Sequence, residues 1–439
     1  MDNIVCLSKV AEIDISSVDK KIKENEQRVK LCNFTDIYYN WAIDKSKTDD
    51  LMDSTASNKN IERFTLKKGQ VAITKDSETR DDIGMSAYIA DDLEQTVLGY
   101  HCALITPDET KLNGKYLNAF LSSNIGRKYF ANQASGSGQR YTLTKNAIGN
   151  VKIHLPDIKT QERIGNIFSN IDRKINNNKT ISQQLEAMEK TIYDYWFLQF
   201  EFPNEEGKPY KSSGGKMVWN EELQREIPKG WEVGNIASLI DSKRNGDWGK
   251  ENIQGNYVLP VSCIRGADLD FVNGKSLSTP PTRFILEKNS SKLLKPYDLI
   301  VEISGGSPTQ STGRIAGISS YLFSRFNNGI VCSNFCKAIT LKDKVNYYYF
   351  LQTWKTLFEN DVMFNWEGKT SGIKNLMFDS FVKNTKIVIP NKEQLSAFFD
   401  LCDDIDNKIQ NLLKQNQELL SLRDFILPLL MNGQVTIGE

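Results

Sequence analysis

The sequence predicts an α+β fold arranged as an internal duplication, with two globular domains each followed by one long helix. The first observation behind this is a stretch that occurs twice without a gap, residues 137–197 and 371–431, at an offset fixed by Pro156 and Pro390 (390 − 156 = 234). Ser137-Gly138, Asn150, Lys152-Ile153, Pro156, Ile171-Asp172, Lys174-Ile175, Asn177, Gln183, Leu185 and Ile192 recur as Ser371-Gly372, Asn384, Lys386-Ile387, Pro390, Ile405-Asp406, Lys408-Ile409, Asn411, Gln417, Leu419 and Ile426. Average composition gives only about three or four chance matches over such a span. The second is a helical seam after each proline. Ile164, Phe168, Ile171, Ile175, Asn178, Ser182, Leu185, Glu189, Ile192 and Trp196 follow alternating steps of four and three, the spacing of a coiled coil. The same frame recurs as Phe398, Cys402, Ile405, Ile409, Leu412, Asn416, Leu419, Arg423, Ile426 and Leu430. The third is a region of short β-rich runs before each helix, bounded by Gly, Asp or Pro.

Taken in order, the chain divides into a first domain (1–150), a first long helix (151–200), a connector with the second domain (201–384) and a second long helix (385–439). In the first domain Gln70-Val-Ala-Ile73 and Val97-Leu-Gly read as strands; in the second, Asp298-Leu-Ile-Val301 and Gly329-Ile-Val-Cys332 do so. A helix from near Thr160 to Phe197 is about 55 Å long, at about 1.5 Å per residue. Polar seam residues, Ser182 with Asn416 and Glu189 with Arg423, are suited to fixing register. Between the first helix and the second domain, Pro203, Gly207, Pro209, Ser212-Ser-Gly-Gly215 and Pro228 mark an irregular connector. Pro428 is expected to stop or kink the second helix near Leu427.

Composition narrows the function. At 439 residues the chain needs two or more cores. No run approaches the roughly 18 apolar residues that cross a bilayer, and Met1-Asp2-Asn3-Ile4 lacks a basic or apolar leader, so a cytoplasmic protein is expected. The seven scattered cysteines read as reduced thiols, and Cys332 and Cys336 as buried ones. Fifty-five basic and fifty-five acidic residues cancel, so nothing in the overall charge announces a nucleic-acid binder, although local clusters or a partner subunit can supply phosphate contacts.

Each domain places two polar clusters where they can meet a ligand. A loop follows the first well-marked strand: Thr74-Lys-Asp-Ser-Glu-Thr-Arg80 in one domain and Ser304-Gly-Gly-Ser-Pro-Thr-Gln-Ser-Thr-Gly-Arg314 in the other. Backbone N–H groups, hydroxyls, Gln and Arg in such loops suit phosphate and base-edge contacts, and equally suit an ordinary surface turn. A second cluster leads into each helix, Ser135-Gly-Ser-Gly-Gln-Arg-Tyr-Thr142 and Lys369-Thr-Ser-Gly-Ile-Lys374, with Arg140 and Lys374 suited to phosphate or guanine. The alternative for these is a capping turn that orients the chain.

Catalytic chemistry is missing. With only His101 and His154, a Ser-His-Asp or Cys-His site in each half is excluded, and His101 reads as a structural residue at a strand end. The loop ending at Arg314 lacks the Gly-Lys-Ser/Thr of a phosphate-binding loop, and no Gly-x-Gly-x-x-Gly follows a strand. Pro107-Asp108-Glu109-Thr110-Lys111 has adjacent acids and reads as a loop before a helix near Tyr116.

With these residues in hand, the chain resembles the DNA-specificity (S) subunit of type I restriction-modification systems over essentially its whole length. The resemblance rests on the repeated Lys-Ile-x-Leu/Ile-Pro block with Ile-Asp-x-Lys-Ile on the following helix, on Ile227-Pro-Lys-Gly-Trp231, and on Ile300-Val-Glu-Ile-Ser-Gly-Gly-Ser-Pro-Thr-Gln310. It implies two target-recognition domains that each read half of a bipartite, asymmetric DNA site. It also implies that the two helices pair as an antiparallel coiled-coil spacer, in pseudo-twofold relation, on which two methyltransferase (M) subunits dock. The chain itself would be non-catalytic and bind no cofactor; S-adenosylmethionine, ATP and magnesium belong to the partner subunits, which can include restriction (R) subunits. The DNA-contact set expected on this basis is Lys75, Ser77, Thr79, Arg80, Gln139 and Arg140 in the first domain, and Ser307, Gln310, Ser311, Thr312, Arg314, Lys369 and Lys374 in the second. The first domain departs from the family pattern in having no Pro-Lys-Gly-Trp start and a shorter, more acidic loop. Two rivals stand beside this reading. A coiled-coil scaffold that joins partners without DNA would leave Arg140, Arg314 and Lys374 scattered or paired with acids; a self-sufficient nuclease or methyltransferase is opposed by the missing motifs.

Overall fold

The computed structural model describes residues 4–136, 139–307, 309–370 and 373–435; Ser137-Gly138 and Ser371-Gly372 of the repeat lie outside them. The fold is α+β. Contacts divide the chain into two compact units, Met1–Asn176 with Glu418–Glu439, and Asn177–Gln417. Both divisions fall inside long helices.

In the first unit the main sheet has the order Ala11–Ile15, Cys102–Pro107, Val71–Thr74, Ser86–Ile89, Ala42–Ile43, antiparallel except for the last pair. Its central strand is buried at every position. Strand alternation sends Val71 and Ile73 into a core with Tyr116, Leu117 and Phe120 of the helix Gly114–Ser122. Ala72 faces the opposite core, with Leu31, Val97 and Leu98 of a second sheet ordered Met52–Ala56, Gln27–Cys32, Thr96–Leu98. A continuous apolar run in the sequence is thus a strand covered on both faces. The strand Ile4–Cys6 pairs with Lys152–His154, the strand that precedes the first long helix.

The second unit has the same strand order. Its main sheet runs Ile240–Asn245, Cys336–Leu341, Asp298–Glu302, Ile315–Ile318, and its second sheet Thr282–Leu286, Tyr257–Ile264, Gly329–Cys332. Leu299 and Val301 face the helix Tyr347–Glu359, while Ile300 faces the other core. Glu232–Asn235 pairs with Lys386–Ile389. The repeat offset also links Cys102 with Cys336 at the start of the second strand of each main sheet (336 − 102 = 234). The connector contributes a hairpin, Met217–Asn220 with Arg225–Pro228.

The long helices are Ile158–Tyr193, continued by one wider turn over Asp194–Leu198, and Lys392–Met431. Each starts behind its proline with a side-chain cap: Asp157 accepts from the Thr160 N–H at 3.0 Å, and Asn391, 234 positions on, from the Gln394 N–H at 3.2 Å. Every seam position named above is buried or half-buried. Of the two outcomes expected for Pro428, the stop is corrected, since the helix continues through it to Met431. Proline removes the N–H that would bond the carbonyl of Asp424, but Asp424 is exposed and only three helical residues follow, so little is lost. All seven cysteines are free, and six of them, including Cys332 and Cys336, are buried. Among the described residues no helix is long and apolar enough to cross a membrane, and no group of His, Cys, Asp and Glu could hold a metal ion.

Candidate nucleic-acid interface

In each unit the two polar clusters, far apart in sequence, fold onto one small sheet. In the first, Asp76–Ser77 pairs antiparallel with Tyr141–Thr142, which pairs in turn with Ser135–Gly136. In the second, Ser304–Gly305 pairs with Ile373–Leu376, whose other neighbour is Glu367–Thr370. Segments that read as loops are therefore partly short strands. Gly136 permits the close pairing, because a Cβ there would lie 2.0 Å from the carbonyl oxygen of Arg140.

Asp76 is the hub of the first cluster. Its Oδ2 accepts from Lys75 Nζ at 2.7 Å and Arg140 Nη2 at 3.2 Å, and lies 2.9 Å from His101 Nδ1. Burial opposes ionisation here, but hydrogen bonds from Lys75, His101 and Thr142 outweigh it and hold the carboxyl at about 2. His101 Nδ1 is also 2.7 Å from Arg140 Nη2, so it can donate to Asp76 or accept from Arg140, but not both. The Asp76 side chain is 9% exposed and that of Arg140 56%. Ser77, Thr79, Gln139 and Arg140 line a cleft of about 540 Å³ with Phe34, Tyr38, Tyr39 and His101. Thr79 donates its N–H to Ser77 Oγ at 3.2 Å and its hydroxyl to Asp82 at 3.2 Å. Arg80 lies 5.2 Å from the centre of the Tyr141 ring.

The second cluster is held more tightly. Ser307 Oγ accepts from the Gln310 N–H at 3.1 Å in a tight turn that leaves the Gln310 side chain exposed. Ser311 and Thr312 are buried; Thr312 donates its N–H (2.7 Å) and hydroxyl (3.2 Å) to Glu367 Oε1. Lys374 pairs with Glu367 Oε2 at 3.0 Å, and its Nζ sits 4.8 Å from the centre of the Phe364 ring. Arg314 makes two parallel bonds to Glu302, both 2.9 Å, which raise its pKa. Lys369 lies opposite Lys374 in the strand pair.

Of the expected contact residues, then, Ser77, Thr79, Gln139 and Arg140 share one cleft, and Ser307 and Gln310 sit on one exposed turn. Lys75, Thr312, Arg314 and Lys374 are engaged with carboxylates, and Ser311 is buried. Each of Arg140, Arg314 and Lys374 does have an acidic partner, as the scaffold reading expects, yet Arg140 remains mostly exposed in its cleft. Sequence reasoning passed over Asp76, His101, Glu302 and Glu367, and the exposed aromatics Phe34 and Tyr39 (45% and 78% exposed). Glu302 left a readable signal, a carboxylate inside an otherwise apolar strand that has to find a cation. Asp76 and Glu367 have cations nearby in sequence, Lys75 and Lys374, but the contacts that make them hubs, with His101 and Arg140 and with Thr312, join residues 25, 64 and 55 positions apart that no local pattern connects.

Residues 3–187 match the family model described as the type I restriction modification DNA specificity domain. The type I restriction enzyme MjaIX specificity subunit of Methanocaldococcus jannaschii is 26% identical over 314 residues, 70% of this chain and 65% of that relative. The chain thus spans slightly less than two thirds of that relative's length. The HindI specificity subunit of Haemophilus influenzae is 29% identical over 137 residues, 31% of this chain and 29% of that protein. A crystal structure of the type I restriction-modification S subunit from M. genitalium superposes with a TM-score of 0.56 at 12% identity, covering 98% of this chain and 95% of that one, a likeness of fold. Over residues 3–187 the chain is thus similar to the DNA specificity domain of type I restriction-modification systems, and over 70% of its length to a specificity subunit of such a system.

Proposed function

We propose that the chain is the non-catalytic subunit that selects an asymmetric bipartite DNA site, one half through the domain at 1–150 and the other through the domain at 201–384. The observation that carries this is the common device in both units, two polar clusters gathered on one small sheet, with exposed Gln and Arg side chains in one and an exposed Gln turn in the other. Ser77, Thr79, Arg80, Gln139, Arg140, Ser307 and Gln310 are the side chains free enough to touch DNA; the side chain of Lys369 lies outside the described ones. Lys75, Ser311, Thr312, Arg314 and Lys374 shape the loops that present them.

The long helices (151–200 and 385–439) form an antiparallel coiled-coil spacer in a pseudo-twofold, internally duplicated chain. Support comes from the second unit, where Asn178 Nδ2 donates to Asn416 Oδ1 at 2.9 Å, Leu185 packs on the cluster of Ile405, Ile409 and Leu413, and the ring of Phe197 lies 4.9 Å from that of Phe398. One number rises as the other falls. Two methyltransferase subunits dock on this spacer and bring S-adenosylmethionine; a restriction subunit, where present, brings ATP and magnesium. With its charges balanced, the chain relies on the basic surface of these partners for much of its DNA affinity.

The test is to co-express the chain with the methyltransferase subunit of its system and map methylated bases by long-read sequencing. Methylation confined to one bipartite motif supports the reading. A stable complex that leaves DNA unmethylated, or methylates it without sequence preference, refutes it.

A further inference from the structure

We infer that Asp76 and His101 are positioning residues that hold Arg140 for a guanine edge in the half-site read by the first unit, while the equivalent side chain of the second unit, Lys374, is withdrawn from readout. The inference rests on the proposed DNA-reading function and names how one of its sites works.

Four observations carry it. Arg140 is tethered at one nitrogen only: among the described residues, Nη2 has partners and Nε and Nη1 have none. The tether is a carboxylate 9% exposed and already neutralised by Lys75 at 2.7 Å, so the Arg140 charge is surplus to it. The backbone of Arg140 packs so closely on residue 136 that a Cβ there would lie 2.0 Å from the Arg140 carbonyl oxygen, a pairing that needs glycine. The cleft into which this guanidinium faces is walled by Phe34, Tyr38 and Tyr39. When His101 donates to Asp76, Arg140 spends one Nη2 hydrogen on that carboxylate, and the other, with the neighbouring donor on its edge of the guanidinium, forms the fork that matches the O6 and N7 acceptors of guanine in the major groove; the same fork could bind a phosphate. Pinning favours the base: a phosphate contact needs charge and reach, which a free lysine supplies, whereas base reading needs a fixed direction.

Position 374 is the repeat partner of position 140 (140 + 234 = 374). There the cation is 15% exposed, paired with Glu367 at 3.0 Å and donating to the Gln310 carbonyl at 3.4 Å. One position in the duplicated frame thus presents its charge in the first unit and consumes it in the second.

The experiment compares methylation motifs of the complete complex carrying the wild-type chain, Asp76→Asn, Arg140→Gln or Arg140→Lys. The expected result is that all three variants lose preference for G at one position of one half-site, by about tenfold or more, while the other half-site keeps its bases. Because Arg140 is exposed, Arg140→Gln and Arg140→Lys decide the matter even where Asp76→Asn fails to fold. An unchanged motif with methylation uniformly reduced in Arg140→Gln and restored in Arg140→Lys places Arg140 on a phosphate and overturns the inference. An unchanged motif and unchanged level in Arg140→Gln also overturns it. Absence of any bipartite motif with the wild-type chain overturns the underlying function as well, and is told apart by that control.

Discussion

Replacing Arg314 with alanine should unfold the second unit more readily, and this effect has to be separated from any loss of DNA contact. The Arg314 guanidinium makes two bonds of 2.9 Å to Glu302, whose side chain is 4% exposed in a strand buried at all five positions. Among the described residues Arg314 is the ion-pair partner of that carboxylate, and Asp270, near the same guanidinium at 3.9 Å, adds a second negative charge. Removing one partner of a buried pair costs about 3–5 kcal/mol, and with Arg314 22% exposed the lower end, about 3 kcal/mol, applies. For a unit of 241 residues (417 − 177 + 1 = 241), about 2–4 °C per kcal/mol puts the fall in unfolding midpoint at about 6–12 °C. The assay is thermal unfolding followed by calorimetry, with the double variant Glu302→Gln/Arg314→Met as control. Neutralising both partners should recover most of the loss. A midpoint for Arg314→Ala within about 1 °C of wild type, or a double variant worse than the single, would show that the pair does not hold this loop. Methylation lost in Arg314→Ala but kept in the double variant then reports stability and not base reading.

Two further predictions concern pH. Asp76 is held at about 2 against an ordinary 3.8, so its interactions contribute on the order of 2 kcal/mol. That contribution is complete above the unfolded value and lost as pH falls through the folded one. Urea unfolding of Asp76→Asn should therefore show a loss at pH 7 that falls to about a third near pH 2.5; equal losses at both would refute the assignment. Glu189 is the opposite case: it is 7% exposed, burial pushes its carboxyl up, and a bond of 2.8 Å from Gln352 only partly compensates. As pH rises, the unfolded chain ionises first and the folded state is penalised. Glu189→Gln should thus raise the unfolding midpoint at pH 8 and leave it unchanged at pH 4, and a destabilised variant at pH 8 would show instead that the ionised form is the one the fold prefers.

The sequence by itself determined what depends on local periodicity and on repetition. The seam from Ile164 to Trp196 was legible because helical geometry returns the same face every three or four residues, and the second copy repeated it in frame. The strands at 71–74 and 298–302 were legible as apolar runs between breakers, and with His101 and His154 both in the first half a Ser-His-Asp or Cys-His site could not occur in each half. Tertiary structure decided the chemistry of the interface. Asp76 meets Arg140 across 64 positions, and Thr312 meets Glu367 across 55. Nothing periodic connects such pairs, because they depend on which strands the small sheets bring side by side. The same cause separates Arg140 from Lys374: equal by position in the repeat, they differ because a buried carboxylate stands beside each in a different place, leaving one cation presented to solvent and the other folded into its loop.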